Sequence, residues 1–271
     1  MAGRIWLIGG TQESALIGRS LAQQSIPCTV TVTTTAARRL YPDCDSLNIW
    51  VGQLKEAQIS SFLNQEQVCA ILDASHPFAV EISQLAMAIA TRHHLPYLRY
   101  ERPSLSPSTA TQRASANAEM SLPLNALDTL LADACLHHQR ILLILGYRRL
   151  HQFQGWHACT TLFARILPSS AALDAAIAAG FTSDRLIALR PPLSPELERA
   201  LWQHWQITTV ITKASGAPGG EDIKRQIAQE LGVRLITLAR PPVVYPAQTS
   251  ELEVAIAFCH PPHSIHAQAR S

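Results

Sequence analysis

Short apolar runs recur along the chain, and most are followed by a stretch whose apolar positions return every three or four residues. The runs predict strands at 4–8, 28–34, 68–73, 96–100, 140–145, 160–165, 185–189, 207–212 and 233–238. Apolar runs of this length with little alternation suit strands covered on both faces, as in parallel sheets. Between 78 and 93, Phe78, Ile82, Leu85 and Ile89 recur at spacings of four, three and four, which marks one buried helical face. Strand alternating with helix predicts an α/β protein of two Rossmann-like domains, with mainly parallel sheets flanked by helices and a cleft between the domains.

The segment "PSLSPSTATQRASANAEMSLP" breaks both periodicities with Ser, Pro, Ala and Thr. It predicts a linker over 104–123, between a cofactor-binding domain at 1–103 and a substrate domain at 124–271. The two sides echo each other. "QVCAILDAS" then "LPYLRYERP" resembles "QITTVITKAS" then "VRLITLARPP". The echo fits either a duplication or the general likeness of parallel α/β units.

Composition narrows the class. Apolar residues make up 47% of 271, yet no run approaches the roughly 18 residues of a membrane span. The opening "MAGRIWLIGG" is too short for a secretory core, so the expected location is the cytoplasm. Six cysteines without a C-x-x-C pair spell neither a disulfide framework nor a zinc site. The tail histidines His260, His263 and His266 read as solvated, and no metal is expected. A net charge of +2 offers no general attraction for nucleic acid.

In open parallel sheets, ligands bind beyond the carboxyl ends of the strands, against helix N-termini. The first such turn, Gly9-Gly10-Thr11-Gln12-Glu13-Ser14, keeps part of G-x-G-x-x-G, with Thr11 and Ser14 at the second and third glycine places. It reads either as a diphosphate cradle or as a tight turn with Thr11 as helix cap. After the second strand stand Thr33, Thr34, Thr35, Arg38 and Arg39 rather than an acid. Hydroxyls and guanidinium suit a 2′-phosphate and favour NADPH, with NADH possible, unless the arginines are simply solvated. "LDASHPFA" places Pro77 at a helix start and His76 on the rim, either as a ligand or proton donor or as a cap. "TKASGAPGGED" has an anion-binding composition in Lys213, Ser215 and Gly216 but is not a P-loop. Arg102, Arg148, Arg149, Arg190 and Arg240 follow strands, and such arginines either grip carboxylates or lie on the surface.

"WLIGGTQES", "DASHPFA", "YLRYERP", "ITKASG" and "LARPP", in this order, resemble the precorrin-6A reductase family of cobalamin biosynthesis, including its cobalt-precorrin branch. The resemblance runs from Ile5 to about Pro242. It implies reduction of the precorrin-6A macrocycle to precorrin-6B by a nicotinamide cofactor. The matched positions imply that Gly9, Gly10 and Thr11, with Gln12 and Glu13, hold the cofactor phosphates, and that Thr34, Thr35 and Arg38 lie near the adenosine ribose. Asp73, Ser75 and Pro77 line the same site, with His76 positioning a ligand or donating a proton. Tyr100, Arg102, Gly146, Arg148, Lys213, Ser215 and Gly216 are assigned to the substrate, a tetrapyrrole rich in carboxylates. Leu145-Gly146 replaces the usual Thr-Gly, and Arg190-Pro191-Pro192 a common Gly-Pro-Phe. A non-catalytic tetrapyrrole-binding module and a nucleotide-sugar transferase are the alternatives. Oligomeric state is not legible.

Overall fold

A computed structural model of the chain describes residues 3–105, 120–123, 130 and 136–260. The described residues divide into two compact units, one from 3–103 together with 242–260, the other within 104–241.

The first unit runs β1 (Arg4–Ile8), α1 (Gln12–Gln23), β2 (Cys28–Val32), a single-turn α2 (Thr35–Arg38), β3 (Leu47–Val51), α3 (Glu56–Gln65), β4 (Val68–Asp73), α4 (Val80–Arg92) and β5 (Tyr97–Tyr100). The second holds β6 (Met120–Leu122), β7 (Arg140–Ile144), a 3₁₀ segment (Tyr147–Ala158), β8 (Thr161–Ile166), α5 (Ser170–Ala178), β9 (Leu186–Ala188), α6 (Pro195–His204), β10 (Thr209–Lys213), α7 (Glu221–Leu231) and β11 (Arg234–Leu238). The chain then returns to the first unit with β12 (Gln248–Thr249) and α8 (Leu252–Phe258).

Both sheets have six strands, in the orders β12-β5-β4-β1-β2-β3 and β6-β11-β10-β7-β8-β9, and every pairing between these strands is parallel. The orders superpose position for position, so the sequence echo reaches the topology. In each, the strand order reverses at the first strand, β1 beside β4 and β7 beside β10. That reversal opens a crevice at the carboxyl edge, because the connections on either side lead to opposite faces.

Burial follows from alternation within the apolar runs. In β1, Ile5 and Leu7 pack toward α1 and α8, while Trp6 and Ile8 pack toward α3 and α4. The second sheet repeats this: Ile141 and Leu143 face the 3₁₀ segment and α5, and Leu142 faces α6 and α7. Leu145 is 1% exposed and belongs to the former core.

Two expectations about domain limits are corrected. The end of the chain does not stay with the second domain: Gln248 and Thr249 pair with Arg99 and Tyr100, and Ala255 and Cys259 enter the α1 core. The β5 edge had main-chain groups to satisfy, and Arg99 and Glu101 amides donate to Ala247 and Thr249 carbonyls at 2.9 and 2.8 Å. The end of the expected linker is a strand, β6, on the matching edge of β11. Residues 106–119 of that linker lie outside the described residues, as do His263 and His266. Strands β3, β6 and β12 are the ones the apolar pattern did not mark, and each is a short strand on a sheet edge.

Candidate functional site

The β1 turn is built by Tyr41. Its hydroxyl accepts the Gly10 N–H at 2.9 Å and lies 2.6 Å from Ser14 Oγ. A Cβ on Gly9 would lie 2.3 Å from that hydroxyl, so only glycine lets the ring approach. Gly10 has a φ of +101° and open space where a side chain would go. Thr11 caps α1 with its hydroxyl on the Ser14 N–H, while Ser14 Oγ accepts the Thr11 N–H. Thr11 Oγ1 also donates to the Ala74 carbonyl at 3.0 Å, stitching the β1 turn to the β4 turn.

This revises what the glycine turn offers an anion. The Gly9 amide donates to Thr31 O, Gly10 to Tyr41 and Thr11 to Ser14. Among the described residues, the amides of this turn left without a partner are those of Gln12 and Glu13, in the first turn of a twelve-residue helix whose dipole is positive there. Gly9, Gly10 and Thr11 therefore shape the approach rather than donate to it.

The β4 turn hangs on a carboxylate. Asp73 is fully buried and accepts four donors: the Ser75 N–H at 3.0 Å, Ser83 Oγ at 2.6 Å, the Tyr97 hydroxyl at 2.9 Å and Arg99 Nη1 at 2.8 Å. Arg99, 1% exposed, also donates to Ser75 Oγ at 2.8 Å and to Glu101 Oε2 at 2.9 Å, and stacks over Tyr245 of the returning chain. Burial works against the guanidinium charge, but Asp73 and Glu101 outweigh it and hold Arg99 above its ordinary pKa. Burial, and then the Asp73 charge, push the Tyr97 phenol up. With its oxygens occupied, Asp73 anchors the turn and is not a cofactor ligand, contrary to the expectation for it.

Pro77 does not open α4 as expected. The helix begins at Val80, and residues 76–79 form a separate turn closed by the Ala79 N–H on His76 O at 2.7 Å. Proline at 77 still sets that turn, but the Phe78 amide is satisfied by His76 Nδ1 at 3.2 Å rather than inside a helix. His76 is exposed, with Nδ1 as the acceptor and Nε2 left as the donor nitrogen.

At the β1/β4 reversal, Thr11, Glu13, Ser75, Pro77, Arg99, Tyr100 and Arg102 close round a narrow crevice with no room for a water molecule. Arg102 is not displayed for substrate: it is 7% exposed and ion-paired with Glu13, Nη2 to Oε2 3.0 Å. Thr34 and Thr35 lie beyond β2 on the other side of β1, exposed, with Thr34 capping α2. Arg38 meets Asp43 at 3.2 Å in a solvent-exposed pair.

The second unit repeats the arrangement with different chemistry. Gly146, φ +74°, ends β7, and a Cβ there would lie 3.9 Å from Lys213 Nζ. Burial, then Arg149 and Arg148, draw the Lys213 ammonium down to about 8. The glycine turn after β10 is filled from within: the Gly216 N–H donates to Glu221 Oε2 at 2.7 Å, and buried Lys224 donates to the carbonyls of Gly219 and Gly220 at 2.8 and 3.0 Å. The Gly216 amide is thus spoken for, so the anion-binding expectation there passes to Lys213 and Arg148. Ser215 is buried in the same turn, its N–H on Lys213 O at 2.7 Å.

Sequence reasoning missed Tyr41, Ser83, Tyr97 and Arg99. Arg99 carried one available signal, a charged residue inside the apolar run "YLRY", where only a paired charge is tolerated. No group of three or more His, Cys, Asp or Glu gathers among the described residues.

A pair of parallel α/β units, one presenting helix N-terminal amides at its reversal and the other a cluster of cations, defines a Rossmann-like protein. The profile of the family described as "Precorrin-6x reductase CbiJ/CobK" matches residues 4–260, and the chain belongs to that family. It is 45% identical over 256 residues to a protein of Synechocystis sp. named "Cobalt-precorrin-6A reductase", covering 94% of this chain and 95% of that one. A protein of the same name from Priestia megaterium is 28% identical over 270 residues, covering 98% and 100%. The solved structure described as "CobK precorrin-6A reductase" matches with a TM-score of 0.72 and 22% identity over 95% of this chain and 96% of that one, which bears on the fold.

Proposed function

We propose that the chain reduces the macrocycle of cobalt-precorrin-6A, or its cobalt-free counterpart, to the corresponding precorrin-6B, using NADPH. The cobalt form is preferred because the relative at 45% identity carries that name. The observation that carries the reading is the division between the two reversals: unpartnered amides at Gln12 and Glu13 in one, and Lys213 with Arg148 and Arg149 in the other.

The residues present fit a nicotinamide dinucleotide. The Gln12 and Glu13 amides and the open approach over Gly10 suit its diphosphate. NADPH is preferred to NADH because Arg38 is held only by an exposed pair, worth about 0–1 kcal/mol, which a 2′-phosphate can displace. When bound, the cofactor supplies the hydride. The chain's own residues bind, orient and shield: Lys213 and Arg148 attract the acetate and propionate arms of the substrate, and the Arg99 network keeps Ser75 Oγ at the crevice. His76 serves in positioning, since its Nδ1 accepts the Phe78 N–H within its own turn. Hydride transfer to a carbon beside a ring nitrogen that already carries its proton neutralises that positive charge, so the proton of the overall reduction arrives on the substrate and no dedicated acid is required.

The test is cofactor oxidation by the purified protein with NADPH and cobalt-precorrin-6A. Binding of the tetrapyrrole without consumption of NADPH would instead mark a non-catalytic binding module. Thermal protection by a UDP-sugar but not by NADPH would mark a nucleotide-sugar transferase. A soluble, cytoplasmic setting is part of the proposal, and no helix among the described residues is long and apolar enough to cross a membrane.

A further inference from the structure

Glycine at 9 and at 18 makes room for one aromatic ring. A Cβ on Gly9 would lie 2.3 Å from the Tyr41 hydroxyl, and a Cβ on Gly18, in the middle of α1, would lie 2.9 Å from Tyr41 Cδ1. The residue that takes this space is buried, and its hydroxyl is used in both directions. It accepts the Gly10 N–H at 2.9 Å. Ser14 Oγ donates to the Thr11 carbonyl at 2.8 Å, so across the 2.6 Å contact between the two hydroxyls Tyr41 is the donor. Tyr41 itself belongs to neither β1 nor α1, but ends the run of turns that follows β2. In that run the amides of Ala37 and Arg38 donate to Thr34 O, that of Leu40 to Ala37 O and that of Tyr41 to Arg38 O. Arg38, three residues before the ring, is thereby tied to it through the main chain, while its guanidinium meets Asp43 at 3.2 Å in solvent. Strands β1 and β2 are adjacent and parallel, so this run and the first turn of α1 stand on the same edge of the sheet.

We infer that Tyr41 is a positioning residue for the choice of cofactor: by pinning the Thr34–Tyr41 run to the Gly10–Ser14 turn, it fixes the spacing between Arg38 and the Gln12 and Glu13 amides. The inference rests on the NADPH reading, in which the amides receive the diphosphate and Arg38 the 2′-phosphate. Two anionic groups joined in one ligand reinforce each other only when their two receiving points are held at the matching distance. With the pin in place, Arg38 is set before the ligand arrives. Without it, ordering the run costs part of what the 2′-phosphate contact gains, and a dinucleotide lacking that phosphate incurs no such cost. Tyr41 acts through Arg38, its own hydroxyl being occupied by Gly10 and Ser14. Burial holds the phenol above its ordinary pKa, which keeps the proton shared with Ser14 in place.

Calorimetric titration with NADPH and with NADH tests this in the native protein, Y41F, G18A, R38A and R38A/Y41F, with the melting temperature of each measured alongside. Y41F removes the hydroxyl and keeps the ring. G18A unseats the ring with a methyl from the interior of α1 and leaves the hydroxyl in place, and the helix propensity of alanine offsets part of the strain, so it reads the same displacement if Y41F folds poorly. Both variants are expected to lower the preference for NADPH over NADH about 3- to 10-fold, and by no more than R38A does, chiefly through weaker NADPH binding. In R38A/Y41F the preference should fall no further than in R38A, because the effect of Tyr41 passes through Arg38. Equal weakening of NADPH and NADH by Y41F and G18A, a lower melting temperature with the preference intact, or a full additional loss of preference in R38A/Y41F would overturn the inference and leave the NADPH reading standing. A native protein that binds neither dinucleotide, or both alike, would overturn both.

Discussion

Replacing Arg99 by methionine removes the one positive charge that Asp73 contacts and keeps most of the side chain's volume. Asp73 and Arg99 are 0% and 1% exposed, and their contact is 2.8 Å. In the variant Asp73 keeps the Ser75 amide and the Ser83 and Tyr97 hydroxyls but loses the Arg99 charge, and Glu101 loses its contact with Arg99 at 2.7 Å. Breaking a buried pair from one side costs about 3–5 kcal/mol, or roughly 12–20 °C in the melting temperature of a unit this size. Neutralising the survivor, as D73N/R99M, removes the uncompensated charge, so the double variant is expected to be about 1–3 kcal/mol more stable than R99M. Urea unfolding followed by tryptophan fluorescence gives the energies. Amide exchange at β4 and β5 shows whether the loss is confined to the first unit. A cost below about 1 kcal/mol for R99M, or a double variant no more stable than R99M, would refute the account of Asp73 as an anchor held by Arg99.

Four further outcomes follow from the same geometry. Gly9→Ala drives a methyl to within 2.3 Å of the Tyr41 hydroxyl and 2.8 Å of Val30 Cγ1, and should cost about 1–3 kcal/mol in chemical denaturation. Gly10→Val meets open space but forces a β-branched residue to a φ of +101°, so it should cost about 1–3 kcal/mol of stability and also weaken NADPH binding in calorimetric titration. Lys213, drawn down to about 8 mainly by burial, is protonated below that pH, so the KM for a carboxylate substrate should rise as pH climbs through 8, and K213R should flatten the profile. The sign for stability is opposite: between about 8 and 10.5 the unfolded chain binds the extra proton, so this group favours the fold more as pH rises, and K213M should gain on the order of 2 kcal/mol at pH 7 while weakening substrate binding. Arg38→Ala should lower the preference for NADPH over NADH by about 10-fold in initial-rate measurements, with the melting temperature unchanged, because Arg38 is exposed.

The amino-acid sequence by itself determined the layered α/β character, the place of the turns and the matching halves. These rest on periodicities of a few residues and on Gly, Pro and Thr preferences, all carried locally by the chain. Short edge strands escaped, because a strand such as β12 exists only where β5 already offers it a hydrogen-bonding edge. What each rim residue does was decided by tertiary structure. Gly10 looks like a phosphate donor until Tyr41, 31 residues away, takes its N–H, and Asp73 looks like a ligand until Ser83, Tyr97 and Arg99 fill its oxygens. A turn sequence sets which polar groups stand on the rim. Which of them remain open is settled by the partners that folding brings from other strands, since each buried group with a partner of its own is lost to a ligand.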